Sequence, residues 1–364
     1  MAKEECKVKT VVKSLCKRWF IDAFSGMAQG LFCTLIAGTI LEQIGKWIGT
    51  NFIGQTLVSI AAMAKMLMGA GIGVGIAHAL GVGKLTMFSA AVAGFAGAFA
   101  DKLIVGGVTS VGFGLPGNPI GAYVVSLLAI EIVSLYAGKT KLDILIVPLG
   151  TLLLVFAGMY LAYPFIWLIK ELGVLIEKAT DITPFFMGII ISVVMGVLLT
   201  MPTSSAAIWI SIASGVTSDA MLLAGGAAVV GCSCHMIGFA VASFRENGVS
   251  GLVSQGVGTS MLQIPNIMKK PIIMLPEIIA SAILGPISTC LFKLKCTATG
   301  GGMGTSGLVG VFGVIDASVA LEPWVTTLGI ILLMFVLPAV ICLVTSEIFR
   351  KLGWIQEGDQ SLSK

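Results

Sequence analysis

Apolar runs recur from about residue 20 to residue 349, each parted from the next by a few polar, glycine or proline positions. Runs of this kind match the hydrocarbon thickness of a bilayer, which an α-helix crosses in about 20 residues. Composition agrees with that reading. Of 364 residues 57% are apolar and 11% charged, with mean hydropathy +1.02, whereas an average soluble domain is about 25% charged. Such a chain has too little polar surface to cover a water-soluble globule. Its 46 glycines fit the same class, because small residues let membrane helices approach closely. The chain therefore reads as an all-α integral membrane protein with no soluble catalytic domain.

Apolar spans are expected at 21–44, 53–80, 86–105, 120–137 and 144–169, followed by a charged stretch at 170–181. A second series is expected at 184–214, 220–243, 249–268, 272–292 and 324–349. Counting the weakly apolar 249–268 as a crossing gives ten transmembrane helices. Two Gly/Pro-rich segments, 106–119 and 296–316, add no crossing and are expected to be re-entrant, since irregular backbone at membrane depth must be buried in protein or line a cavity. The second series echoes the first: 149–173 and 328–353 each end in a charged pair followed by Leu-Gly. Five spans per half would make this an inverted 5+5 repeat; the competing reading is chance similarity between two apolar helices.

The ends bracket this core. Residues 1–20 form a basic segment in which Lys3, Lys7, Lys9, Lys13, Lys17 and Arg18 outnumber Glu4 and Glu5. Val8, Val11, Val12, Leu15 and Trp19 recur in it at helical spacing, so it reads as an amphipathic helix on the inner leaflet. Positive charge beside the first span marks the cytoplasmic side, and no nucleic-acid partner is expected. Residues 21–350 are the transmembrane domain and 351–364 a tail whose Lys351 also favours the cytoplasm. Both termini are thus placed on the cytoplasmic side of a bacterial plasma membrane. The eight cysteines show no disulfide framework, and Cys232-Ser233-Cys234-His235 lacks a second ligand pair, so neither a metal nor another cofactor is expected.

Ionisable groups within apolar spans are expensive and mark functional sites by default. Glu277 is the foremost. It follows Pro276, and a proline frees a backbone carbonyl one turn back; glycine-rich chain comes soon after. A carboxylate there would accept hydrogen bonds from hydroxyls or carry a proton. His235 and His78 are further candidates, each also readable as a packing residue. Asn118, Gln263 and Asn266 are amides in broken segments, suited to hydroxyl recognition. Glu131 has no polar neighbour in its span and reads equally as a helix–helix hydrogen bond. The strings 112–117 and 302–307 match G-x-G-x-x-G but lack a strand–turn–helix context, which removes the dinucleotide reading. Their glycines are better suited to cavity wall, with Gly302, Gly304 and Thr305 exposing backbone and hydroxyl groups to a polar solute. No nucleophile–base constellation is present.

The strings Leu275-Pro276-Glu277-Ile278-Ile279, Met201-Pro202-Thr203-Ser204-Ser205 and Gly114-Leu-Pro-Gly-Asn-Pro119 resemble the membrane (IIC) subunits of the bacterial sugar phosphotransferase system. More narrowly they resemble the type-2 branch that includes PfoR-type regulatory proteins. The resemblance covers about 20–350. It implies a homodimer of ten-span subunits with re-entrant hairpins and a mobile substrate-binding half. It also implies a sugar contacted by a Glu and a His, roles that fall on Glu277 and His235. Family permeases work with IIA and IIB proteins, and phosphorylation requires a IIB domain, which these residues do not include. The expected function is a permease that translocates a sugar or similar polar solute by alternating access. A PfoR-like sensor without transport and an ion-coupled transporter of an organic anion are the alternatives.

Overall fold

The computed structural model describes residues 14–107, 117–201, 205–213 and 217–362. Residues 1–13 of the basic segment, 108–116 of the first Gly/Pro-rich segment and Pro202-Thr203-Ser204 of the central break lie outside the described residues, as do 214–216 and 363–364. The described residues form helices joined by turns and short extended stretches, with no strand among them. The chain divides into two compact units, the first ending at Ile169 and the second beginning at Lys170.

The first unit holds α1 (Ser14–Ile48), the pair α2 (Phe52–Met66) and α3 (Met68–Ala79), the pair α4 (Lys84–Ala98) and α5 (Ala100–Gly106), α6 (Pro119–Ser134) and most of α7 (Asp143–Ile182). The α2/α3 pair bends by 53° and the α4/α5 pair by 63°. Asn51 caps α2 by accepting from Gly54 N at 2.8 Å, which supplies one of the partners that a helix start lacks. Glycines set the spacing of α1 and α3. A Cβ on Gly26 would fall 2.3 Å from Gly75 O, and one on Gly30 2.2 Å from Gly71 O. Two backbones therefore touch where side chains would hold them apart, the close approach expected of small residues in membrane helices. Glu131 and Lys65 are paired. Glu131 accepts from Arg18 Nε at 2.7 Å and from Trp19 Nε1 at 3.3 Å, and Lys65 donates to Glu42 at 2.5 Å. Of the two readings open for Glu131, the structure shows the helix-to-helix link.

The second unit is built round α10 (Asp219–Ala242), a helix buried on all sides. It packs against α8 (Pro184–Thr200), α13 (Pro271–Phe292) and α15 (Pro323–Lys351). Gly231 lets α8 in: a Cβ there would fall 1.9 Å from Ser192 O. The short α9 (Ser205–Ala213), α11 (Phe244–Val253), α12 (Ile264–Lys269) and α14 (Ser306–Ala317) complete the unit.

Among the described residues five helices are long and apolar enough to cross a membrane, namely α1, α7, α10, α13 and α15, or up to seven if each bent pair counts as one span. That is the count beside the ten read from hydropathy. Two segments differ from expectation. Residues 170–181 are not an inter-span loop, because α7 runs unbroken for 40 residues to Ile182. Its far end is amphipathic, with Lys170, Glu171 and Lys178 exposed and Gly173 and Thr180 buried, so the charges lie on one face and do not end the helix. Nor is 249–268 a single crossing helix. It consists of the end of α11, a wide π-type turn over Ser254–Gly258, a 3-10 turn over Ser260–Gln263, and the one-and-a-half-turn α12, because buried amides and Pro265 break the α-helix there.

Candidate functional site

The all-round burial of α10 follows from its sequence. Ser218 caps its start, accepting from Met221 N at 3.2 Å, and Gly225, Gly226, Gly231 and Gly238 admit neighbours on successive turns. His235 lies on this helix with no exposed surface. Its Nδ1 is 2.9 Å from Thr200 Oγ1, which is also 3.0 Å from Ser260 Oγ and 3.2 Å from Gly196 O. A hydroxyl has one proton and two lone pairs. One assignment satisfies all three contacts: Thr200 donates to Gly196 O and accepts from His235 Nδ1–H and from Ser260. His235 Nε2 is then a bare acceptor, and it has no hydrogen-bond partner.

Glu277 sits in the first turn after Pro276 in α13, again fully buried. Gly238, three residues beyond His235 on α10, makes room for it: a Cβ at 238 would fall 2.8 Å from Glu277 Cγ and 2.7 Å from Cys342 Sγ. Cys342 on α15 closes this side, with Sγ 3.8 Å from Cys234 O and 3.7 Å from Pro276 O. Both carboxylate oxygens of Glu277 are buried without a hydrogen-bond partner. A buried polar group without a partner costs free energy, and a buried charge costs far more. Such a group in a packed core calls for a functional explanation.

The glycine-rich stretch meets the same part of α10. Gly302 O accepts from Ser205 Oγ at 2.7 Å, and Thr305 Oγ1 donates to Gly256 O at 2.6 Å. Gly304 adopts φ +54°, and a Cβ there would fall 2.8 Å from Cys232. Both the left-handed backbone and the contact exclude a side chain. Beside it the buried Trp209 Nε1 faces Gly301 and has no partner.

The structure thus gathers Glu277, His235, Gly304 and Thr305 at the C-terminal half of α10, with Gly302 beside them against α9, although no hydrogen bond joins Glu277 to His235 among the described residues. It sends the amides elsewhere. Gln263 donates to Gln255 Oε1 and Gln360 O, each at 2.9 Å, and Asn266 donates to Gln263 Oε1 and Ser361 O. Both hold the C-terminal tail. In the first unit, His78 is exposed near the end of α3, and Asn118 caps α6, its Oδ1 accepting from Ile120 N and Gly121 N. Thr200, Ser260 and Trp209 carry no charge and sit in apolar context, so sequence reasoning missed them. The one signal for Thr200 was its place just before the Met201-Pro202 break. Among the described residues no three His, Cys, Asp or Glu side chains are placed to hold a metal.

Membrane-crossing helices packed about a buried carboxylate and imidazole define a multi-pass membrane protein with an internal polar site. The family model described as "Phosphotransferase system, EIIC" matches residues 21–362, and the chain belongs to that family. Membership implies a sugar-specific membrane permease component, a multi-pass protein of the plasma membrane that would bind sugar and work with IIA and IIB proteins. No curated protein and no solved structure gave a match.

Proposed function

We propose that the chain binds a sugar or similar polyhydroxylated solute in the second unit and translocates it by alternating access, with Glu277 as the principal hydroxyl acceptor and His235 as its companion. The observation that carries this reading is the pair of Glu277 oxygens, fully buried and unpartnered. A polyol loses water on entering a membrane protein, and its site must return those hydrogen bonds. Glu277 and His235 Nε2 together offer three acceptors, complementary to hydroxyl donors. The same acceptors repel an anion, which argues against an organic acid as solute. Trp209 Nε1–H, unpartnered against Gly301, is a donor on the glycine-rich side. Phosphorylation of the solute falls to a IIB partner, and the homodimer is the working form implied by family resemblance.

The test is binding and uptake of sugars and sugar alcohols by the full-length protein in proteoliposomes, with Glu277→Gln in parallel. Loss of both activities in the variant is expected. Unchanged uptake removes Glu277 from the site. Binding without uptake in the parent protein identifies a PfoR-like sensor in place of a permease.

A further inference from the structure

The C-terminal tail is not a free end. Its residues 355–362 lie in a polar socket formed by α11, α12 and the end of α15. Gln360 is fully buried. Its N–H donates to Glu246 Oε2 at 2.8 Å, its carbonyl accepts from Asn247 Nδ2 and Gln263 Nε2, and its side-chain oxygen accepts from Arg350 Nη2, each at 2.9 Å. Leu362 N donates to Asn247 Oδ1, and Asp359 pairs with Lys270 at 2.6 Å. Ile355 anchors the near end of the tail in an apolar cluster with Phe349 and Ile273.

The segment that this tail grips is the one that touches the candidate site. Gln263 and Asn266 take the tail on one side. On the other side, Gly256 O accepts from Thr305, Gly258 O accepts from Ser306 at 2.9 Å, and Ser260 meets Thr200, which holds His235. Gln255 lies between the two, donating to Ser243 Oγ at 2.9 Å and accepting from Gln263. Over 254–263 the backbone makes one wide π-type turn (Ser254–Gly258), an extended Thr259 and one 3-10 turn (Ser260–Gln263), so its own hydrogen bonds, such as Thr259 N to Ser254 O at 2.8 Å, are all short-range. Its position is set by what it touches at both ends.

We infer that residues 355–362 are a positioning clamp for the substrate site: docked in their socket, they fix the 254–266 segment, and through Ser260–Thr200 and Gly256–Thr305 they set His235 and the glycine-rich stretch. Gln360 and Asp359 are then positioning residues acting on a site from which they are separated by a whole segment. The inference rests on the proposed reading of His235 and Thr305 as site residues, but its test needs no solute. Release of the tail frees the segment and opens the site on that side.

The experiment uses full-length protein in which Cys6, Cys16, Cys33 and Cys290 are replaced by serine and Ser260→Cys is the reporter. N-ethylmaleimide is the probe, and the native Cys296, buried away from the tail in the same unit, is the control. Asp359→Lys and Gln360→Pro are each expected to raise the labelling rate at position 260 by at least about tenfold, the equivalent of about 1.4 kcal/mol of local opening. The charge swap Lys270→Asp with Asp359→Lys is expected to return the rate towards that of the parent. An unchanged rate at 260, a parallel rise at Cys296 showing general loosening, or failure of the swap to restore protection would each overturn the clamp. Should Glu277→Gln leave uptake intact, the solute reading fails while the labelling result still decides the clamp.

Discussion

Replacing Glu277 by methionine should make the solute-free protein more stable. Glu277 has no exposed surface, and neither carboxylate oxygen has a partner. Leaving a buried polar group unsatisfied costs about 1–3 kcal/mol, so two such oxygens set a lower bound of about 2 kcal/mol. Methionine is unbranched and of similar reach, and its sulfur suits the space between Gly238 and Cys342. For a folded body of about 200 residues each kcal/mol moves the melting temperature by about 2–4 °C. The expected gain is therefore about 4–8 °C, read by scanning fluorimetry on detergent-purified protein. Glu277→Gln, which keeps two buried polar atoms, should gain much less. Both variants should lose solute binding, the pattern of a residue kept for activity at a cost in stability. A fall in melting temperature for Glu277→Met would refute the reasoning, because it would mean that the carboxylate is well satisfied in the resting protein.

Three further outcomes are expected. Gly231→Ala places a Cβ 1.9 Å from Ser192 O, a backbone clash that cannot be relieved by a rotamer change; it should cost about 3 kcal/mol or more and show as loss of monodisperse protein on size exclusion. Thr200→Val leaves His235 Nδ1–H and Ser260 without their shared partner, at about 1–3 kcal/mol; Thr200→Ser, which restores the hydroxyl, should recover most of the lost melting temperature. The tail should loosen in acid. Partial burial raises the Asp359 carboxyl, but the Lys270 and Gln356 hydrogen bonds and the Lys270 and Arg350 charges outweigh it and hold it below the ordinary 3.8. A depressed carboxylate stabilises the folded state above its unfolded pKa and loses that contribution as pH falls through its folded value. Maleimide-type labelling is unsuited to that range, so amide hydrogen exchange over 356–362 should read faster opening below about pH 4 and no change between pH 6 and 8.

The helical character and the main spans were legible because apolar runs bounded by Gly, Pro and charge have few other uses. Glu277 and His235 were legible for the same reason, as ionisable groups that stand out in apolar surroundings. What could not be read was partnership. Lys65 and Glu131 are ionisable groups in apolar spans as Glu277 is, yet Glu42 and Arg18, 23 and 113 residues away in sequence, pair with them. The amides of Gln263 and Asn266 had the right chemistry for a hydroxylated solute, but the backbone of the tail satisfies them. Hydropathy also misjudged continuity. It ended α7 at charges that occupy one exposed face, and it ran a crossing through 249–268, where Gln255 and Gln263 supply hydrogen bonds to irregular chain. The segment 108–116, with most of the glycine string 112–117, lies outside the described residues, and with it most of the proposed counterpart of 296–316.

The burial of α10 also bears on how the protein is made. This helix leaves the ribosome after α8 but before α13 and α15, two of the helices that cover it. Until residues beyond 340 have been synthesised, Cys234 and Gly238 lack the side of their surround that Cys342 supplies. A nascent chain in lipid would present these groups, and a row of glycines, to acyl tails that offer no hydrogen bonds. Biogenesis must therefore hold α10 in a sheltered place during translation of about 100 further residues, an interval in which the membrane insertion machinery, not the fold, keeps the helix from the lipid.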